Sequence, residues 1–270
     1  MALHLSLLEW LLLLVILLEG VAIRVVSRHW NAHRRAKREE GRGKPWLLRR
    51  VPVDALDPVF ATPNPRLGHT TATEVAFISI GQTPVVGAPS DYESWILAVL
   101  SRQALNMFEF GTCTGRTTYL WARNSSPSAR VHTITLHPDQ LDTYRGDADD
   151  TPDDQADALH ESSFQTFVYS GTDVERKIVQ LYGDSKAFDH HPFKGQFDLI
   201  FVDGSHARSY VESDSEKALQ MLKPGGVILW HDYRGAHRSG GVFDALNALG
   251  TTLPLMHIEG TSLVAYRSPQ

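Results

Sequence analysis

Short apolar runs alternate with helical patterns through residues 90–266, and this alternation limits the folds open to the chain more than any other feature. Strands are predicted at 106–110, 131–136, 177–182, 197–202 and 227–230. Helices are predicted at 90–105, from 117, at 208–222 and at 243–249, and 255–258 with 262–266 form a predicted hairpin. Such a strand–helix repeat is typical of a doubly wound, mainly parallel α/β sheet. A length of 270 residues suits one such domain with appended segments.

Two of the apolar strands end in the same kind of polar residue. The run FDLIFV continues into Asp203-Gly-Ser-His206, and VILW continues into His231-Asp232-Tyr. Ligands of doubly wound sheets bind outside the carboxyl ends of the strands. We therefore expect these acid and imidazole side chains to form one site.

A glycine-containing turn follows the first predicted strand of the sheet. The segment MFEFGTCTGRTT places Gly111 and Gly115 where a strand should turn into a helix. Glycine allows a close approach of backbone and ligand, and a helix amino terminus favours negative charge. Dinucleotide enzymes prefer G-x-G-x-x-G at this position, whereas this turn has G-x-x-x-G with Glu109 before it.

Three further segments extend the pattern: LYGDS after the third strand, DGSH after the fourth and LKPGGVI leading into the fifth. Together with the glycine turn, these segments of residues 90–266 resemble class I S-adenosylmethionine-dependent methyltransferases, in the branch with DGSH and WHD that includes sugar and secondary-metabolite O-methyltransferases. The resemblance implies a Rossmann-like sheet of seven strands and S-adenosylmethionine as cofactor. The cofactor-binding residues that it implies are Glu109, Gly111, Thr112, Gly115, Asp184, Ser185 and Asp203.

The resemblance also implies how the strand ends take part in chemistry. Some sugar O-methyltransferases bind Mg²⁺ through acids after the fourth and fifth strands, which correspond here to Asp203, His231 and Asp232. The histidine in this set favours a softer ion such as Mn²⁺. His206 is the first candidate for the base that deprotonates the acceptor hydroxyl and His231 the second, because imidazole titrates near neutral pH. The acceptor is expected to be a sugar or another small hydroxylated molecule.

One position departs from the family pattern and keeps an alternative open. The second strand ends in Thr135 and Leu136 instead of the acid that usually holds the cofactor ribose. A catalytically inactive methyltransferase-fold module is therefore the alternative to an enzyme. The loop spacing speaks against a nicotinamide-dependent oxidoreductase. Residues 51–270 hold 16 basic and 27 acidic residues, which argues against a nucleic-acid partner, and a homo-oligomer is left open.

The amino-terminal segment predicts a membrane anchor. Residues 1–26 are largely apolar and approach the length of about 20 residues that spans a bilayer core. Residues 21–50 carry ten Lys or Arg against two Glu, which by the positive-inside rule places the domain in the cytoplasm. An interfacial helix and a signal peptide are the alternatives. We therefore divide the chain into a single-pass anchor at 1–26, a basic juxtamembrane segment and proline-rich linker at 27–70, and a methyltransferase domain at 71–270.

An acidic insertion follows the second predicted strand. Nine carboxylates and one arginine occupy residues 139–161. Such a composition is typical of a solvated, mobile segment. A lid over the substrate is the alternative interpretation.

Overall fold

The computed structural model describes residues 19–28, 31, 43–64, 68–71, 73–78, 86–148 and 150–270. Two compact units are present: Pro45–Gly235 with Ser239–Gln270, and Met1–Lys44 with Ala236–Arg238. In the second unit residues 19–28 are helical. Within the described ranges no helix has both the length and the apolar content to cross a membrane. Of the predicted anchor, residues 1–18 lie outside the described residues.

The larger unit is built on a mixed sheet whose described strands number eight. Their order is β1-β9-β10-β8-β7-β4-β5-β6. The strands are β1 (Arg49–Val51), β4 (Asn106–Phe110), β5 (Arg130–Thr135), β6 (Ile178–Tyr182), β7 (Phe197–Val202), β8 (Leu222–Trp230), β9 (Met256–Ile258) and β10 (Val264–Arg267). A separate two-stranded ribbon pairs β2 (Thr62–Asn64) with β3 (Gly68–Thr70). The doubly wound fold predicted from the alternation is confirmed.

Five α-helices connect the strands in the described part of this unit. They are α1 (Asp91–Ser101), α2 (Arg116–Asn124), α3 (Pro152–Glu161), α4 (Arg208–Met221) and α5 (Gly240–Leu249). The start of α1 shows how local hydrogen bonds define a helix boundary. Ser90 Oγ accepts from the Glu93 N–H at 3.3 Å, while the Ser90 N–H donates to Glu93 Oε2 at 2.7 Å. Such a capping box satisfies two backbone donors that a helix start leaves free.

The sheet has one strand more than the seven predicted. Arg49–Val51, which the sequence assigns to a linker, pairs in parallel with Met256–Ile258. The compact unit consequently begins at Pro45 rather than at residue 71. Phe60 is fully buried, and its ring lies 5.2 Å from that of Trp95. Three residues are too few to show the alternation by which a strand is predicted, so the prolines around them favour a linker interpretation.

Candidate active site

The three central strands end side by side at one edge of the sheet. Register pairs Phe110 with Val202, and Val202 with Trp230. The next residues along the chain, Gly111, Asp203 and His231, therefore emerge together. The Asp203 N–H donates to Phe110 O at 2.9 Å, and the His231 N–H donates to Val202 O at 3.1 Å. Strand order reverses between β4 and β7, and a crevice at that reversal is where such sheets bind ligands.

The glycine turn lies directly on this crevice. Gly111 has φ 96°, and a Cβ built there would stand 2.1 Å from Asp203 O. Gly115 has φ 75° and begins α2, with Phe167 and Tyr169 packed against it. Only glycine fits at either position, because a Cβ would overlap neighbouring atoms and because residues with a side chain rarely adopt a positive φ. Gly111 thus lets the end of β7 pack against the turn, whereas the absence of a side chain at Gly115 leaves room for Phe167 and Tyr169.

A pocket enclosing about 480 Å³ of empty space, part of it open to solvent, follows this turn. We call it the nucleoside pocket, after the cofactor that the sequence predicts for this edge of the sheet. Its walls come from the ends of β4 to β7, from α3 and α4, and from the segment before α3. The lining residues are Gly111, Cys113, Ile134, Thr135, Leu136, Tyr144, Ala158, Glu161, Ser162, Gly183, Asp184, Ser185, Asp203, Gly204, Ser205, Tyr210 and Asp214.

Four of the seven predicted cofactor residues line this pocket, namely Gly111, Asp184, Ser185 and Asp203. Thr112 is turned toward the sheet instead, with its Oγ1 at 2.8 Å from Thr133 Oγ1. Glu109 is also buried, and its Oε2 accepts from Thr118 Oγ1 and, at 2.9 Å, from Thr133 Oγ1. Burial raises the pKa of Glu109 to about 8. In this arrangement Glu109 stabilises the turn through its threonine partners, with its carboxyl group directed into the protein.

The acidic segment forms one wall of the nucleoside pocket. The hydroxyl of Tyr144 lies 2.9 Å from Ser205 Oγ, and the Tyr144 ring stacks on Tyr210 with centroids 4.6 Å apart. Asp150 Oδ1 accepts from the Ser209 N–H at 3.1 Å. These contacts tie the segment to the loop after β7 and the start of α4. The structure therefore favours the lid interpretation over that of a solvated, mobile segment.

A cluster of acids and imidazoles occupies the ends of β7 and β8. His231 Nδ1 lies 2.9 Å from Asp203 Oδ1 and 3.4 Å from Asp232 Oδ1. The other ring nitrogen, Nε2, lies 3.4 Å from Glu93 Oε2. His206 Nε2 lies 2.7 Å from Asp232 Oδ2. The expected convergence of Asp203, His206, His231 and Asp232 is thus present, with Glu93 joining from α1.

Neighbouring carboxylates raise the pKa of both imidazoles. Burial alone would lower the pKa of His206, but the hydrogen bond and negative charge of Asp232 outweigh it and raise the pKa to about 9. Burial alone would also lower the pKa of His231, but the negative charges of Asp203 and Asp232 raise it well above the usual range. Burial also raises the pKa of Asp203. In contrast, the two imidazoles overcome burial and lower the pKa of Asp232.

The donor set at this cluster fits a divalent cation. Asp203, His231 and Asp232 each offer one ligand atom, and these atoms lie within 4.8 Å of one another. Carboxylate oxygens suit Mg²⁺ and Mn²⁺, and an imidazole nitrogen is better tolerated by Mn²⁺. Glu93 stands behind His231 at Nε2, as carboxylates stand behind histidine ligands in metalloproteins. Nδ1 of His231 is thereby directed toward the two aspartates.

A second pocket, enclosing about 570 Å³ and partly open to solvent, lies over the cluster. We call it the acceptor pocket. It is lined by Gly87, Ala88, Cys113, Glu161, Asp203, His206, His231, Asp232 and Arg234. Arg234 Nη2 lies 2.6 Å from Asp232 Oδ1. Asp232 has φ 61°, which is unusual for a residue other than glycine and directs its side chain into this cluster.

Three residues of the site were missed by reasoning from sequence, namely Glu93, Glu161 and Arg234. In the sequence, Glu93 has the position of an ordinary helix-capping residue, and in the structure it does form the capping box of α1. Glu161 is one of nine carboxylates in the acidic segment, and no pattern separates it from the others. Arg234 directly follows WHDY in the sequence, and this adjacency could have predicted that it lies near the cluster.

Comparison with known proteins gives one match in sequence and several in structure. Residues 108–233 match the profile of a family described as a methyltransferase domain. A search of curated proteins gives no match. An O-methyltransferase from Streptomyces achromogenes involved in tomaymycin synthesis is 18% identical at TM-score 0.47, over 67% of this chain and 82% of that one. A Podospora anserina methyltransferase is 14% identical at TM-score 0.48, over 93% and 96% of the two chains.

The sequence match begins within β4 and ends just after β8. It therefore contains the glycine turn, the end of β6 at the nucleoside pocket and both polar strand ends of the cluster. The strand-end register independently brings these same segments together. Residues 108–233 are thus similar to a methyltransferase domain, and the similarity covers the segments that meet at this edge of the sheet.

Proposed function

We propose that this protein transfers the methyl group of S-adenosylmethionine to a hydroxyl oxygen of a small acceptor, with a sugar-like molecule as the best candidate. The observation that carries the proposal is the alignment of the ends of β4, β7 and β8. That alignment places a glycine-lined pocket next to a cluster of two imidazoles and three carboxylates. A methyl donor and an activated hydroxyl can therefore be held side by side.

The cofactor supplies a methyl group bound to a positively charged sulfur. The acceptor oxygen forms the new bond to that carbon while the carbon–sulfur bond breaks and sulfur keeps the electron pair. The hydroxyl proton must leave, and we propose His206 as the residue that takes it, with His231 as the second candidate. Asp232 fixes the orientation of the His206 ring and also raises its pKa to about 9, so the fraction of His206 that is neutral and able to take the proton grows as the pH rises toward 9.

We further propose that Asp203, His231 and Asp232 hold a divalent cation, Mg²⁺ or Mn²⁺. A cation at such a site lowers the pKa of a hydroxyl group bound to it. The protein's own contribution is to gather the three ligands on two adjacent strand ends, with Glu93 orienting the imidazole. Asp203 belongs to both pockets and is the residue on which cofactor and cation binding both depend.

The alternative is a methyltransferase-fold module that binds ligands without catalysing transfer. One observation favours it: the strand end that faces the nucleoside pocket carries Thr135 and Leu136 instead of a carboxylate. Binding of S-adenosylhomocysteine without transfer to any hydroxylated acceptor would support this alternative.

Location at a membrane is a separate proposal. It depends on residues 1–26 as a single-pass anchor, followed by ten basic residues between positions 21 and 50 that would face the cytoplasmic leaflet. The methyltransferase domain would then act on acceptors that reach the membrane surface from the cytoplasm.

Calorimetry tests the enzymatic proposal. The full chain is titrated with S-adenosylhomocysteine, with and without Mn²⁺, and then assayed for methyl transfer to a panel of sugars and phenols. We expect the cofactor to bind. We also expect methyl transfer to fall when the cation is removed by a chelator. Absence of binding at millimolar cofactor would refute the enzymatic proposal.

A further inference from the structure

Glu161 stands where the two pockets of the site meet. It is the last residue of α3, and it lines both the nucleoside pocket and the acceptor pocket. Among the described lining residues, only Cys113 and Asp203 also line both pockets. The wall between the pockets is therefore made of one thiol and two carboxyl groups.

The carboxyl group of Glu161 feels the positive charge of His206 but differs from its neighbours in making no direct polar contact. Within the described part of the chain, neither a hydrogen bond nor an ion pair is formed by Glu161. Asp203 and Asp232, in contrast, are bonded to His231 and His206. Burial raises the pKa of Glu161 to about 7. A half-buried carboxylate without a partner is costly, and a positively charged ligand beside it would offset that cost.

The Glu161 carboxylate and Cys113 of the glycine turn both lie close to Gly87. A Cβ built on Gly87 would lie 3.6 Å from Glu161 Oε1 and 2.8 Å from Cys113 Sγ. The carboxylate and the thiol of Cys113 are thus both neighbours of Gly87. Cys113 carries no charge there, because burial raises the pKa of its thiol above the usual range.

Methyl transfer determines which part of the cofactor must reach this wall. A donor in the nucleoside pocket can pass its methyl group to an oxygen in the acceptor pocket only if the sulfonium lies at the boundary between them. The sulfonium carries a positive charge, whereas the thioether of the product carries none.

We propose that Glu161 distinguishes the charged cofactor from its neutral product, an inference that depends on the proposed function. Its carboxylate attracts the sulfonium of S-adenosylmethionine across the boundary of the two pockets. After transfer, sulfur is neutral and that attraction is lost. Glu161 therefore favours binding of the substrate form and release of S-adenosylhomocysteine.

Titration calorimetry at pH 8 tests this with three ligands. S-adenosylmethionine carries a sulfonium, sinefungin carries an amine-bearing carbon in its place, and S-adenosylhomocysteine is neutral at that atom. In the Glu161→Gln variant we expect a loss of about tenfold in affinity for the two charged ligands. Affinity for S-adenosylhomocysteine should stay within about twofold. The control is Asp157→Asn, a change of the same charge at an exposed position of α3.

Each outcome separates this inference from its alternatives. Equal losses for all three ligands would show a structural role for Glu161 and overturn the proposal, as would unchanged affinities. A collapse of kcat with unchanged affinity for S-adenosylmethionine would make Glu161 a proton acceptor and also overturn it. If wild type bound none of the ligands, the proposed function itself would fail. Binding without charge preference in wild type would refute only the role of Glu161.

Discussion

A buried glutamate beneath the glycine turn should make the stability of this protein fall as pH rises. Glu109 is 2% exposed, and burial raises its pKa from the usual 4.5 to about 8. Replacing it by glutamine keeps the shape of the side chain. The amide oxygen can still accept from Thr118 and Thr133, as Glu109 Oε2 does. The substitution therefore removes one titrating group with little change in packing.

The magnitude follows from proton linkage. Between pH 4.5 and about 8 the folded protein keeps the proton on Glu109, whereas the unfolded chain releases it. The unfolded state therefore gains about 1.4 kcal/mol per pH unit over this interval. The accumulated loss of stability is about 4–5 kcal/mol at pH 8 relative to pH 4.5. Below the lower pKa both states are protonated and above the higher one both are ionised, so the effect is confined to this window.

Urea unfolding followed by circular dichroism at half-unit steps from pH 5 to 8.5 measures the effect. The informative quantity is the free energy of unfolding of wild type minus that of Glu109→Gln, because all other titrating groups cancel in it. We expect this difference to fall steadily with pH and to level off near pH 8. Glu216→Gln, at an exposed position of α4, controls for the loss of one acid. A difference that does not vary with pH would refute the reasoning.

Three further substitutions or deletions test the site and the chain organisation. Asp203→Ala should lower methyl transfer by about 100-fold or more and abolish Mn²⁺ binding in calorimetry; wild-type turnover would remove Asp203 from the site. Gly111→Val should abolish S-adenosylhomocysteine binding, since its Cβ would overlap Asp203 O; unchanged affinity would contradict the placement of the turn. Deleting residues 1–44 should leave the unit that begins at Pro45 folded and free of membranes in a flotation assay; co-flotation with vesicles would contradict the anchor assignment.

The central part of the fold could be predicted from local pattern alone. Asn106–Phe110 and Phe197–Val202 form strands with the predicted bounds, because both are mostly apolar and each leads into a glycine-containing turn. The strand at Arg49–Val51 could not be predicted in this way. Its pairing with Met256–Ile258 joins segments about 200 residues apart, and neither carries a pattern that specifies the partner.

The same distinction applies to the site. Asp203 and His231 were predictable because each directly follows a buried strand, and parallel strands align their ends. Glu109 belongs to β4 and Thr112 follows Gly111, yet both side chains contact Thr133 inside the protein, a direction that the sequence motif does not specify. Glu93 and Glu161 reach the site from helices, and the position of a helix relative to a strand end is set by packing that sequence pattern does not contain.

The pairing of Arg49–Val51 with the edge of the sheet also has a bearing on solubility. Without it, Met256–Ile258 would present unpaired backbone donors and acceptors on one side, which is how proteins recruit strands from other molecules. The covering strand is only three residues long and is followed by Pro52, so little of its own outer edge can template further growth. A truncation that starts at Pro45 keeps the edge strand that protects against self-association, whereas one that starts beyond Val51 removes this strand.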